Sequence, residues 1–305
     1  MPRISYVEKR FSTTTMATIE HADGICRQYA AQGLTLTLRQ LYYRFVAGGL
    51  IPNRDTEYKR LGTILNDARL AGLIDWHHME DRTRNLRALS HWDTPSEMID
   101  SAAASYRIDK WARQPEYLEV WIEKDALVGV IRGIATTHDV PYFSCRGYTS
   151  QSEIWAAAQR HIRHMKRGQR VTILHLGDHD PSGIDMTRDI TDRLALFCES
   201  HGYDAPTVQR LALNWDQIQQ YAPPPNPAKL TDSRAYGYIS RYGNDSWELD
   251  ALEPTVITAL INDAITAHRD EYLWDIAADR EATERAQLQR IAEQWDAITD
   301  YLGEV

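Results

Sequence analysis

Between residues 117 and 183 the chain alternates short apolar runs with helix-patterned stretches, and no other feature constrains its fold as much. Strands are expected at 117–122, 140–145 and 171–176, and helices at 125–137, 151–166 and from 183. Strands that alternate with helices pair in parallel through right-handed crossovers, so an α/β fold built on a parallel sheet is expected. At 305 residues, with 43% hydrophobic and 25% charged side chains, the chain has room for two domains, each with its own core.

The third run ends in Leu174-His175-Leu176-Gly177-Asp178-His179-Asp180-Pro181-Ser182-Gly183-Ile184. In extended backbone residues two apart point the same way, so Asp178 and Asp180 are expected to face one point while His179 looks away. Two carboxylates at the carboxyl end of a buried strand suit a hard cation such as Mg²⁺ or Mn²⁺. Turn and helix-cap aspartates carry the same pattern. Fifty residues earlier, Leu118-Glu119-Val120-Trp121-Ile122 is followed by Glu123-Lys124-Asp125-Ala126-Leu127. Glu123 thus falls at the edge where open α/β sheets bind ligands.

A Glu followed by Asp-x-Asp, each at a strand's carboxyl end, resembles the Toprim domain of topoisomerases, primases and some nucleases. Glu-Lys-Asp-Ala and Asp-x-Asp-Pro-x-Gly-Ile look like the variant found in the topoisomerase VI A subunit and the meiotic double-strand-break transesterase. Where many Toprim sites carry a third acid, this chain has Ser182. The resemblance implies a preceding winged-helix domain with a tyrosine nucleophile. Thr35 to Phe45 is similar to the family's Thr-x-Arg-x-x-Tyr-Tyr signature, with Thr37, Arg39, Tyr42 and Tyr43 in register. The second aromatic, Tyr43, corresponds to the nucleophile. Arg39 lies four residues before it on the same helix face, where a guanidinium can hold a phosphate and favour the phenolate. A core stripe of Leu38, Leu41, Tyr42 and Phe45, with Tyr43 at its edge, is the structural alternative.

The resemblance gives an organisation: a winged-helix (CAP-like) domain at 1–90, a connector at 91–116, a Toprim domain at 117–255 and a helical extension at 256–305. Helices are expected at 15–32, 37–47 and 55–71, followed by a strand or wing over 74–84. The helix at 55–71 would read the groove of double-stranded DNA. Arg44, Lys59, Arg60, Asn66 and Arg69 are the candidate DNA contacts, with a merely solvated charged face as the alternative. Residues 102–111 suggest a helix in the connector. Pro223-Pro224-Pro225-Asn226-Pro227 marks a rigid extended stretch. Glu248 and Asp250 follow as auxiliary acids or structural ones.

The net charge of −9 is uneven: residues 1–90 hold 13 Lys/Arg against 9 Asp/Glu, and the remainder holds 21 against 34. A mildly basic DNA-reading part ahead of an acidic metal part is coherent, because local potential outweighs the total. The three cysteines, Cys26, Cys145 and Cys198, lie far apart, so a reducing cytoplasm is expected; the resemblance implies association with the nucleoid there. No apolar run is long enough for a membrane span, and the first twenty residues lack a signal-peptide core.

The resemblance implies Mg²⁺-dependent DNA cleavage by tyrosyl transesterification. Tyr43 and Arg39 would act on the phosphate, Glu123, Asp178 and Asp180 would hold the metal, and Glu123 would also count as catalytic. It further implies a homodimer in which the tyrosine of one protomer meets the metal site of its partner. No ATP-site motif is present, so ATP use would need a separate ATPase subunit, or the chain acts as a stand-alone A-like protein. Two alternatives stay open. One is a hydrolytic Toprim nuclease of the plasmid-defence type, with Tyr43 structural. The other is a catalytically silent DNA-binding protein.

Overall fold

In the computed structural model, which describes residues 3–79 and 89–303, three helices come first: α1 (Thr13–Ala30), α2 (Leu38–Ala47) and α3 (Asp55–Leu70). Thr37 starts α2 with a capping box: its hydroxyl accepts from the Gln40 N–H, and the Gln40 side chain accepts from the Thr37 N–H. This satisfies two amides that a helix start otherwise leaves unpaired. Ile19, Leu41, Tyr42, Phe45, Leu61 and Leu65 bury one face of each helix in a shared core. The expected helices are all present, with ends shifted by one or two residues. After α3, Asp75 caps a short 3₁₀ turn at Trp76–His78, and Met79 bridges to Leu36. The remainder of the expected wing lies outside the described residues.

The connector forms α4 (Pro95–Ser105), entered through the Thr94 cap and Pro95. The helix expected over 102–111 therefore stops at Ser105. Beyond it the Ile108 N–H and the Lys110 ammonium both bond to Glu281, at 3.1 and 2.7 Å. This long-range acid competes successfully with the local helical bonds.

The α/β part follows the alternation read from the sequence. In chain order it comprises β1 (Glu116–Ile122), α5 (Val128–Thr137), β2 (Tyr142–Ser144), α6 (Gln151–Met165), β3 (Arg170–Leu176), α7 (Pro181–Glu199) and β4 (Thr207–Ala212). The four strands are parallel, in the order β2-β1-β3-β4. The fourth strand was not among those expected. Alternation along the central strands sorts the layers. Leu118, Val120, Ile122, Leu174 and Leu176 point into the core shared with α5, whereas Trp121 and Ile173 face α6 and α7.

The chain then runs through α8 (Trp215–Tyr221), the short strand β5 (Asn226–Pro227), α9 (Ala235–Tyr242) and β6 (Asp245–Ser246), which pairs antiparallel with β5. The proline-rich stretch is held here: the Asn53 amide donates to the Pro225 carbonyl and to the Asn226 side chain, at 3.1 and 2.7 Å. After a 3₁₀ turn at Leu249–Ala251 come α10 (Pro254–His268), α11 (Glu271–Glu293) and α12 (Trp295–Gly303).

The helix α10 is part of the sheet's own covering, since Ile257, Ile261, Ala264 and Ile265 join the core beneath α5. In contrast, α11 lies against α4, tied by the Ser96 hydroxyl to the Ala292 carbonyl at 2.8 Å. No helix among the described residues is long and apolar enough to cross a membrane.

In this strand order, β2 follows β1 to one side while β3 lies on the other. The connections therefore diverge between β1 and β3, where open α/β sheets form their ligand crevice at the carboxyl ends. If α10 shares the sheet's core, Ile261→Ala should cost about 2–5 kcal/mol, read from denaturant midpoints. Ile276→Ala on exposed α11 should cost under about 0.5 kcal/mol.

Candidate active site at the carboxyl edge of β1 and β3

The β1–β3 pairing continues past the last strand residues. The Glu123 N–H donates to the Leu176 carbonyl at 2.9 Å, and Gly177 exchanges backbone bonds with Ala212 and Leu213, each 2.8 Å. This brings Glu123 against the Asp178 segment, where its Oε2 accepts from the Asp178 N–H at 2.8 Å. A side chain at Gly177 would stand 3.1 Å from that same oxygen, so a larger residue would press on the acid. Gly183 matters more: a Cβ there would meet the Asp178 carbonyl oxygen at 2.2 Å. The first turn of α7 approaches the loop closely only because this position has no side chain, which gives the Asp-Pro-Ser-Gly wording a steric reason.

Asp178 and Asp180 have different tasks. Asp178 is buried; its Oδ1 accepts from the Leu249 N–H at 2.8 Å and its Oδ2 lies 3.0 Å from the Lys124 ammonium. Asp180 caps α7, its Oδ1 accepting from the Gly183 N–H at 2.6 Å and the Ser182 hydroxyl at 2.9 Å. Ser182, in place of a third acid, thus serves the cap. His179 turns away, as expected, into an aromatic cluster with Trp215, Tyr238, Tyr242 and Trp247. Burial there pushes its pKa down to about 4, so it is neutral at pH 7.

Lys124, immediately after Glu123, is the centre of the charge pattern. Its ammonium reaches Glu248 at 2.6 Å and Asp250 at 3.0 Å besides Asp178. Burial opposes the charge, but Asp250, Asp178 and Glu248 together hold the ammonium well above its usual range. Arg39 contacts the same two acids, pairing with Glu248 and lying 2.9 Å from Asp250 through Nε. A second guanidinium, that of the half-buried Arg210 on β4, lies beneath the loop. It donates to the carbonyls of Asp178, Gly183 and Gly177 at 2.6, 2.9 and 3.1 Å.

Arg210 and Lys124 were not among the sequence candidates. The available signal for Arg210 was a lone charge inside the apolar run from Val208 to Leu213. Glu248 and Asp250, read as auxiliary or structural acids, are both held in ion pairs at the centre of the cluster.

Tyr43 and its neighbour separate clearly. The Tyr42 hydroxyl accepts from the Arg54 N–H at 2.7 Å and donates to Asn53 Oδ1 at 2.9 Å, fixing the α2–α3 connection. Tyr43 has its hydroxyl 3.4 Å from the Arg39 guanidinium, the i,i+4 relation expected. It is only 3% exposed. Burial pushes its pKa up to about 12, with Asp250 and Glu248 adding to the effect and Arg39 opposing it.

Of the candidate DNA contacts, Lys59, Arg60 and Asn66 are exposed on α3, with Arg60 paired to Glu57. Arg44 is not on that surface: it is buried, donates to the Ala251 carbonyl at 2.6 Å and pairs with Glu253. Arg69 lies over the Trp76 ring at 4.2 Å and bonds to the Trp76 carbonyl. For both, a buried or stacked partner outcompetes solvent for the guanidinium.

Among the described residues no group of three or more His, Cys, Asp or Glu stands ready to hold a metal ion. Asp178 is already committed to Lys124 and Leu249. Glu123 and Asp180 each keep one carboxylate oxygen without a hydrogen bond among the described residues, and Asp180 is close enough to raise the Glu123 pKa beyond what burial does. Two carboxylates with open positions match Mg²⁺, which keeps waters and takes further oxygens from a phosphate. Glu123 and Asp180, with Asp178 beside them, are therefore the residues that could hold such an ion.

Compared with known proteins, the chain matches no family model and no curated protein.

Burial, reinforced by Glu123 and Asp250 and opposed by Lys124, pushes the Asp178 pKa from 3.8 to about 8. The folded chain therefore keeps a proton that the unfolded chain has released, and stability should fall as pH rises from about 4 to 8. Asp178→Asn should flatten this dependence, read from denaturant midpoints at pH 5 and 8 in EDTA. Added Mg²⁺ should stabilise the wild type most at the upper end. Parallel profiles for wild type and variant would contradict the assignment.

Proposed function

We propose that the chain is a divalent-metal-dependent DNA-cleaving enzyme of the topoisomerase VI A type, combining a winged-helix part with a Toprim part and using Tyr43 as nucleophile. The observation that carries this reading is the continuous charge network from Tyr43 through Arg39, Glu248 and Asp250 to Lys124 and Asp178. It joins the tyrosine helix to the edge that bears Glu123.

In this reading Glu123 and Asp180 would hold Mg²⁺ or Mn²⁺, with Asp178 adjoining, and the bound ion would supply positive charge to offset that of the scissile phosphate. Arg39 orients the phosphate facing Tyr43, and Lys124 keeps the acid cluster assembled. Tyr43 attacks phosphorus and gives its proton to solvent; the P–O bond to the leaving strand breaks, that oxygen takes a proton from solvent to leave as a free hydroxyl end, and the other end stays on the tyrosine. Because Tyr43 is buried and its hydroxyl is hard to ionise as it stands, DNA or a second protomer has to uncover it. Pairing of Arg39 with the phosphate would release Glu248 and Asp250 from it. The exposed Lys59, Arg60 and Asn66 face of α3 supports a backbone contact to double-stranded DNA. The resemblance has the tyrosine of one protomer meet its partner's metal site, whereas here Tyr43 is tied to the edge of its own chain. In either arrangement a homodimer would let two sites cut both strands, with any ATP use left to a separate subunit.

One observation favours a second reading: the same burial of Tyr43 suits a structural tyrosine in a hydrolytic nuclease, where the acid edge acts with water. The two separate in an SDS-trapping assay with labelled supercoiled plasmid and Mg²⁺ or Mn²⁺. Transesterification predicts label on wild-type protein, and none on Tyr43→Phe or Asp180→Ala. Cut plasmid bearing free 5′-phosphates, equally abundant with Tyr43→Phe, would overturn the tyrosyl mechanism in favour of hydrolysis.

A further inference from the structure

Beside the acid edge lies a cavity of about 410 Å³ that the cleavage reaction as described does not use. Its walls are Pro181 and Ile184 of α7 and Tyr238 and Tyr242 of α9. It opens next to the metal edge, since Pro181 directly follows Asp180. Its floor is tied to the loop between the two aspartates: the Tyr238 hydroxyl bonds to the His179 carbonyl and lies 2.9 Å from His179 Nδ1. The size falls in the roughly 300–1,000 Å³ range of small-molecule sites.

Three guanidiniums surround this cavity, those of Arg188, Arg234 and Arg241, in a chain whose net charge is −9. Two are already compensated. Arg188 pairs with Asp185 and Asp192, and Arg234 with Asp185 and Asp232. Arg241 is exposed and makes no ion pair among the described residues. Its guanidinium instead lies 5.3 Å from the centre of the Tyr242 ring. The Tyr238 and Tyr242 rings are 5.1 Å apart and inclined at 48°, so they form a corner rather than a closed stack.

Tyr238 is only 5% exposed and packs against His179, so the half-buried Tyr242 ring is the surface on offer. An aromatic ring with an uncompensated cation at its rim is the chemistry that holds an unpaired nucleotide, with the base against Tyr242 and the phosphate on the guanidinium. We propose that this cavity binds an unpaired nucleotide of a DNA strand, one step from the cleavage edge, and that Arg241 takes its phosphate. The DNA identity of the ligand rests on the proposed function. The site accounts for a feature that cleavage alone leaves without a role: a base drawn out of the duplex beside the scissile position would be captured here and keep the strand from re-pairing.

The test is binding without cleavage, so that it stands apart from the cleavage mechanism. A fluorescent oligothymidylate is titrated with the full chain in EDTA at several salt concentrations, for wild type, Arg241→Ala and Arg132→Ala. Arg132 is an exposed residue of α5 on the opposite face of the sheet and serves as the charge control. Arg241→Ala should weaken binding roughly tenfold and reduce the salt slope by about 0.7, the value for one phosphate contact on a single strand. Arg132→Ala should change neither. Photo-cross-linking of a 5-iodouracil oligonucleotide should label the peptide that carries Tyr238 and Tyr242. Equal effects of the two substitutions, absence of single-strand binding, or cross-links confined to other peptides would overturn the proposal. Cleavage that persists while Arg241→Ala binding is unchanged would overturn this site and leave the proposed function standing.

Discussion

Five carboxylates crowd the carboxyl edge of β1 and β3, and the molecule around them is arranged to make that crowding tolerable. Glu123, Asp178, Asp180, Glu248 and Asp250 come from three separate stretches of chain. A buried acid is costly unless a cation or hydrogen bonds offset it. Lys124 supplies the shared cation for three of them, and Arg39 supplies a second for the pair at 248 and 250. Arg210 gathers the carbonyls of the loop beneath. The segment 246–251 closes over the site because its acids and the Leu249 N–H have partners there, and α2 docks because Arg39 does.

The balance left over is uneven in an informative way. Glu248 sits between Lys124 and Arg39, which outweigh its burial and hold its pKa at about 2. Asp178 shares the same ammonium and yet is pushed up, because it is the more deeply buried and has Glu123 and Asp250 beside it. An acid that resists ionisation next to two carboxylates with free oxygens marks a place where added positive charge would be welcome. Around Tyr43 the acids that anchor Arg39 also disfavour the phenolate, so docking of α2 and ionisation of this tyrosine pull in opposite directions. Phosphate pairing with Arg39 would shift that balance.

The sheet and the placing of Glu123 and Asp178 at its carboxyl edge were legible because they depend on local pattern. Apolar runs of strand length, Gly177 after the third of them, and acids at the carboxyl ends of β1 and β3 are written in adjacent residues. The short strand Thr207–Ala212 was not, since Arg210 interrupts its apolar pattern, and that residue's role depends on carbonyls contributed by a distant loop. Arg44 and Arg69 read as surface cations, but the partners that withdraw them, Ala251 and Glu253 for one and Trp76 for the other, become neighbours only through folding. The two-residue spacing of Asp178 and Asp180 suggested a shared target; Pro181 begins α7 at once, so Asp180 is drawn into the cap while Asp178 meets Lys124. Periodicity places elements, but it does not show which of several acids a given cation will choose.

The proposed cleavage requires that the β1–β3 edge take a divalent ion. Mn²⁺ binding to the full chain, followed by electron paramagnetic resonance at pH 7.5, reads this without DNA or turnover. We expect a bound ion in the wild type that is lost in Glu123→Gln and Asp180→Asn while both variants keep the wild-type circular dichroism spectrum. Equal Mn²⁺ binding by wild type and both variants, or none by the folded wild type at millimolar Mn²⁺, would contradict it.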